Sequence, residues 1–447
     1  MATVLVLAAC SSEDAVVAPG VGAAPAADVG DVAAGAGTDE RDVLSAPAAT
    51  AATTNTATTT TTSTEVTSTP LATSPSSSVE HAPIVRVDPP DPRPGPVLPV
   101  VQGWAAFDLH LQTILRAGSD AVSATVIENG EVVHEVALGW RTPDGDSVEV
   151  GHRYRLASIS KVITAITTLQ LVEDGLIGLD DPVGARLAAR VGVSTPADGV
   201  SDLTVRQLLT HRSGIGQYEN LMFARQVESC PEAAAVALGR GLERAPGSTF
   251  RYSNVNFCLL GLLVEELTAT AYADVVEQRL LQPLGISGMR LAGTFDVTDG
   301  DVEHESTPER NYMEVLGAAG SWVGSPTDVA EIVNSLDLTT PGWKALGTAM
   351  NTEMMTITTD PPAPSEPGDD PTVPAPAPTG GYGMGLMIFG PGGFGHTGTV
   401  ESTHAMTARD ASGRVWAITV SGDHPSSSRD LAGIIGEALR YSGVTVG

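Results

Sequence analysis

The sequence predicts one α+β domain over residues 100–447, carried behind a long segment that does not fold. Three observations carry that expectation. Composition changes abruptly near position 100, strand-like alternation appears at both ends of residues 100–447, and helical spacing dominates the stretch between. Strands at both ends with helices between them describe one antiparallel sheet built from the two termini and flanked by helices. The middle, about residues 180–340, is expected to form a mostly helical subdomain.

Residues 1–10 read "MATVLVLAAC". Leu7-Ala8-Ala9-Cys10 resembles the end of a bacterial lipoprotein signal, which makes Cys10 a candidate lipidation site, although no Lys or Arg precedes the apolar run. Residues 11–99 are dominated by Ala, Thr, Ser, Pro and Gly, as in "TATTTTTSTEVTSTPLATSPSSS". Too few large apolar groups are present to offset the entropy of ordering, so this is expected to be a disordered tether reaching about 50 Å. No other segment approaches the roughly 20 apolar residues that span a bilayer. Export, with membrane attachment only through a lipid on Cys10, is the expected location.

The domain opens with "WAAFDLHLQTILRAG", whose apolar residues fall at helical spacing before a glycine. Then "AVSATVIENGEVVHEVALGWRT" reads as two alternating strands joined at Asn129-Gly130, a strong hairpin signal. "VRQLLTHRSGIG", "CPEAAAVALGRGL", "NFCLLGLLVEELTATAYADVVEQRLLQPLGI" and "PTDVAEIVNSL" supply the helical middle. Strand signals return in "YGMGLMIFG", "GFGHTGTV", "STHAMTARDAS" and "RVWAITVSG", ahead of a closing helix "SRDLAGIIGEALRYSG". A Pro-rich run over 358–380 is expected to be a solvated surface loop. Cys230 and Cys258 form an even pair that an oxidising compartment would allow to bond, a link contributing about 3 kcal/mol; two buried thiols are the alternative.

Only two of the 24 Lys and Arg residues are lysine, Lys161 and Lys344. Lys161 lies three residues after Ser158, ahead of the apolar run "VITAITTLQLVEDG", so the spacing places hydroxyl and amine on one face of a buried helix. A buried amine can lose its proton and act as a base, whereas a guanidinium cannot. That is an activated-nucleophile arrangement. Tyr252-Ser253-Asn254 precedes another apolar helix. Ser253 or Asn254 is suited to capping it, and a tyrosine near an amine is a candidate general base. In "GGFGHTGTVE" the glycines point to close backbone approach, with His396 and Thr397 as contact groups.

Taken in order, the segments resemble the serine β-lactamase and penicillin-binding superfamily, in the branch of class C β-lactamases, D-alanyl-D-alanine carboxypeptidases and related esterases. Ser158 to Lys161 matches its Ser-x-x-Lys, Tyr252 to Asn254 its Tyr-x-Asn, and His396 to Gly398 its Lys/His-Thr-Gly. "LTVRQLLTHRSGI" and "GAAGSWVGSPTDVAEIV" are also similar, so the resemblance spans about residues 104–442. It implies a β-lactamase/transpeptidase-like fold and acylation of Ser158, with Lys161 and Tyr252 sharing the proton traffic. It further implies that Asn254 binds the substrate amide and hydrogen-bonds Lys161, and that the N–H groups of Ser158 and Thr399 form the oxyanion hole. His396 would steer a substrate carboxylate while protonated, less reliably than lysine. His211 is read as a packed or turn-stabilising residue.

The formal net charge of −29 excludes a nucleic-acid partner, which needs a basic face. No Gly-x-Ser-x-Gly elbow and no His-Glu-x-x-His occurs, so neither an α/β-hydrolase nor a metal or other cofactor is expected. The expected protein is a monomeric, exported serine hydrolase acting on a small molecule or peptidoglycan peptide, D-alanyl-D-alanine carboxypeptidase-like. An esterase, a weak β-lactamase and a non-catalytic envelope-binding protein are the competing readings.

Overall fold

A computed structural model of the chain describes residues 102–358, 380–425 and 428–443. Segment 1–10 with its Cys10, segment 11–99 and the interior of the Pro-rich loop lie outside the described residues.

Strands β1 (Ala121–Glu128) and β2 (Glu131–Gly139) are joined as the Asn-Gly signal predicts, both turn residues taking positive φ, 54° at Asn129 and 83° at Gly130. β1 pairs on its other side with the last strand, Val415–Ser421, so the two ends of the domain meet in the middle of one sheet. Period-2 alternation sorts β1 between two layers. Val122, Ala124 and Val126 pack with Phe107, Leu111, Leu431 and Ile435 of the Trp104–Arg116 and Ser428–Tyr441 helices. Ser123 and Thr125 face the other way, bonding to Tyr154 Oη at 2.8 Å and Thr327 Oγ1 at 2.8 Å.

Numbered in chain order, the remaining strands are β3 (Tyr154–Arg155), β4 (Arg290–Leu291), β5 (Trp322–Gly324), β6 (Gly381–Tyr382), β7 (Met387–Gly390), β8 (Gly393–Val400), β9 (Thr403–Arg409) and β10 (Val415–Ser421). The large sheet has the order β2-β1-β10-β9-β8-β7-β6, antiparallel throughout, as the sequence leads one to expect. A second sheet, β3-β5-β4, has no counterpart in the sequence pattern. Its strands are two or three residues long, too short to show any alternation.

The Ser160–Glu173 helix runs through the protein with 12 of its 14 residues buried. Three of those are threonines, and Thr164, Thr167 and Thr168 each return the hydroxyl to the carbonyl four residues earlier, so none of these hydroxyls is stranded. The equally apolar Asn254–Thr268 helix packs beside it. Cys258 of that helix is bonded to Cys230, which opens the Cys230–Arg240 helix, with S–S 2.09 Å and Cα–Cα 5.8 Å.

Candidate active site

Ser158 sits in a single 3₁₀ turn, Ala157–Ile159, that carries the chain from β3 into the Ser160–Glu173 helix. It therefore precedes the α-helix rather than sharing a face of it. Ala157 has φ 46°, a left-handed conformation that an alanine adopts at a cost, so neighbours rather than local preference hold this turn. One neighbour is Trp322, whose carbonyl accepts from Leu156 N at 2.9 Å. The other is β8 at Gly398, where a methyl group would stand 2.2 Å from the Leu156 carbonyl oxygen. The glycine of His-Thr-Gly is thus the surface on which the nucleophile's turn rests.

Lys161 is fully buried, and Nζ donates to Ser158 Oγ at 2.9 Å and to the Ala319 carbonyl at 2.8 Å. It also stands 5.0 Å from the centre of the Tyr252 ring and 5.8 Å from that of Phe257. Full burial disfavours an ammonium. Ser158 remains partly open to solvent, so the hydroxyl faces outward from a buried amine.

Tyr252 is half-buried, and Asn254 is the first residue of its helix. Ser253 stands at the N-cap but makes no capping bond; its hydroxyl donates to the Gly216 carbonyl at 2.7 Å. The bond expected between Asn254 and Lys161 is also not formed. Asn254 Oδ1 is buried without a hydrogen-bond partner, an acceptor left over at the site.

Burial overturns the expectation for His396. The ring is fully buried, with Nδ1 2.6 Å from the Thr397 carbonyl and Nε2 3.1 Å from Tyr382 Oη. A carbonyl only accepts, so Nδ1 carries the proton and Nε2 accepts from the tyrosine. Burial is the main cause that pushes the imidazole down to about 3, and Lys161 adds to it whenever the amine is protonated. The imidazole is neutral at physiological pH and supplies no cation for a carboxylate. Thr397 is half-exposed and Thr399 exposed on the same strand, with Thr399 Oγ1 3.3 Å from His404 Nδ1.

The sequence does not single out the Ala319 carbonyl or Tyr382. Both lie inside segments it flags, "GAAGSWVGSPTDVAEIV" and "YGMGLMIFG", but a backbone oxygen and a long-range ring contact leave no pattern of spacing. Among the described residues, no group of three His, Cys, Asp or Glu side chains is placed to hold a metal ion.

The family profile for beta-lactamase matches residues 108–440. The chain belongs to the beta-lactamase family. This beta-lactamase-family chain is 26% identical over 193 residues to "Penicillin-binding protein 4*" of Bacillus subtilis, covering 41% of either protein. It spans roughly half the length of the curated relatives it matches, between 41% and 56% for three of them. Among solved structures, it is similar to a D-stereospecific amidohydrolase from Streptomyces (25% identity, TM-score 0.56, covering 75% of this chain and 97% of that one). It is also similar to SurE (25% identity, TM-score 0.58, 77% and 76%). A partly open serine hydrogen-bonded to a buried lysine is an activated-nucleophile arrangement.

Proposed function

We propose that this chain hydrolyses amides or esters of D-configured aminoacyl groups through a covalent acyl-enzyme on Ser158. The observation that carries this reading is the buried Lys161 amine 2.9 Å from a solvent-facing Ser158 hydroxyl, with β8 alongside. Ser158 Oγ attacks the carbonyl carbon while its proton passes to Lys161 or Tyr252. The N–H groups of Ser158 and Thr399 hold the oxyanion, each contributing about 3 kcal/mol. The amine or alcohol leaves with a proton, and water then displaces the acyl group to restore the serine. Asn254 Oδ1, the unpartnered acceptor, takes the substrate's amide N–H. The D-configuration is supported by the similarity to the Streptomyces amidohydrolase.

D-alanyl-D-alanine carboxypeptidase activity is the second reading, favoured by the match to a penicillin-binding protein. It ranks lower because its substrate ends in a carboxylate and His396 is neutral. Export on a lipidated Cys10 belongs to the same proposal, supported by the Cys10 pattern, the composition of residues 11–99 and the Cys230–Cys258 disulfide. Turnover of D-alanine amide and D-alanine nitrophenyl ester, against a peptide ending in D-Ala-D-Ala, tests the reading. The substrates without a terminal carboxylate should be preferred by at least about tenfold, with all turnover lost in Ser158→Ala. Preference for the peptide would select the carboxypeptidase. Equal inactivity of both proteins would leave a binding protein.

A further inference from the structure

The Leu-Leu-x-His-x-Ser-Gly segment is bonded to the Tyr-x-Asn segment through His211 and Ser213. His211 is fully buried, with φ 55°, and its carbonyl accepts from Arg251 N at 2.8 Å. Its Nδ1 accepts from Ser253 N at 3.2 Å and from Asn256 Nδ2 at 3.0 Å. Ser213 Oγ donates to Asn256 Oδ1 at 2.7 Å and accepts from Ile215 N at 3.1 Å. Gly214, at φ 80°, closes the segment where a methyl group would stand 2.0 Å from the Arg244 carbonyl oxygen. Residues 211–214 therefore hold residues 251–256 by backbone and side chain together.

The imidazole lies in a cage of rings, with centres 4.3 Å from Tyr252, 5.0 Å from Tyr382, 5.1 Å from Phe257 and 5.9 Å from Phe250. Because Nδ1 accepts from a backbone N–H, the ring's proton is on Nε2, which is buried without a hydrogen-bond partner. A histidine that served packing alone would be replaceable by an apolar ring, avoiding a stranded donor. This one accepts bonds from Ser253 N and Asn256 Nδ2, on the C-terminal side of Tyr252, while its ring lies against that of Tyr252 at a 35° tilt.

We infer that His211 is a positioning residue for Tyr252: its imidazole fixes the phenol's place beside Lys161 by clamping Ser253 and Asn256 and backing the ring. The inference rests on the acyl-enzyme reading above, in which Tyr252 moves a proton. A shift of about 1 Å in such a group costs on the order of a hundredfold in rate.

A double-mutant cycle on the full chain tests it, with the rate of serine labelling by a fluorophosphonate as readout, corrected for the folded fraction at each point. His211→Leu is expected to slow labelling by about 10–100-fold in the wild-type background and by less than about twofold on top of Tyr252→Phe, because two residues acting through one group are not additive. His211→Asn keeps an acceptor near Nδ1 and tolerates the left-handed backbone, so it should recover much of the loss. If His211→Leu does not fold, Ser213→Ala loosens the same clamp one bond further out. Its loss should likewise vanish in Tyr252→Phe. Equal losses in both backgrounds, or unchanged labelling per folded molecule, would overturn the inference. A fully active Tyr252→Phe would instead overturn the role given to the tyrosine.

Discussion

Gly398→Ala tests how the nucleophile is held. The added methyl would sit 2.2 Å from the Leu156 carbonyl oxygen and 3.2 Å from Ala157 Cβ. A carbon and a carbonyl oxygen approach no closer than about 3.3 Å, so β8 and the Leu156–Ser158 turn must separate by about 1.1 Å. Neither side yields cheaply, since the oxygen is main chain and Ala157 is already left-handed at φ 46°. That separation opens the gap between Ser158 and the Thr399 N–H, and a displacement of this size costs about a hundredfold in acylation. Stopped-flow hydrolysis of a nitrophenyl ester, with the unfolding midpoint measured alongside, should show kcat/KM down by that factor in protein that is still folded. A variant within about threefold of wild type would refute the argument that Gly398 sets the nucleophile's position.

Three further outcomes are expected from the same geometry. Lys161→Arg should lose acylation by at least about a thousandfold, since a guanidinium keeps its proton and must fit a fully buried slot; retained labelling would show that the amine is not needed as a base. Removing the Cys230–Cys258 link by paired alanines frees a 28-residue loop and should lower stability by about 3–4 kcal/mol in denaturant titrations, and an unchanged midpoint would contradict this. His396 has a folded-state value near 3 against an ordinary 6.5, so the unfolded chain binds the proton first. Its contribution is complete above pH 6.5 and is lost as pH falls, by up to about 1.4 kcal/mol per pH unit. Urea midpoints between pH 7 and pH 4 should fall less steeply in His396→Gln than in wild type.

The sheet and the three motifs are legible in the sequence because each leaves a local mark. Asn129-Gly130 fixes a hairpin by its own turn preference, and Ser158 and Lys161 meet because three residues of helical or 3₁₀ chain bring them together. What is not legible depends on contacts distant in sequence. His396 reads as a titrating group until Tyr382 and the fold bury it. Asn254 reads as a partner for Lys161, yet the amine is taken up by the Ala319 carbonyl, 158 residues away. The β3-β5-β4 sheet joins strands too short for any pattern. His211 reads as packing because a single histidine carries no spacing; its bonds to Ser253 and Asn256 appear only once residues 211–214 and 251–256 lie together.

Everything proposed for this site depends on Ser158 being the nucleophile that becomes acylated. Intact-protein mass spectrometry after treatment with a fluorophosphonate and with a penicillin, followed by peptide mapping, measures it directly. A single adduct on Ser158, absent from Ser158→Ala, is the predicted result. No adduct on folded wild-type protein, or an adduct that persists in Ser158→Ala, would contradict it.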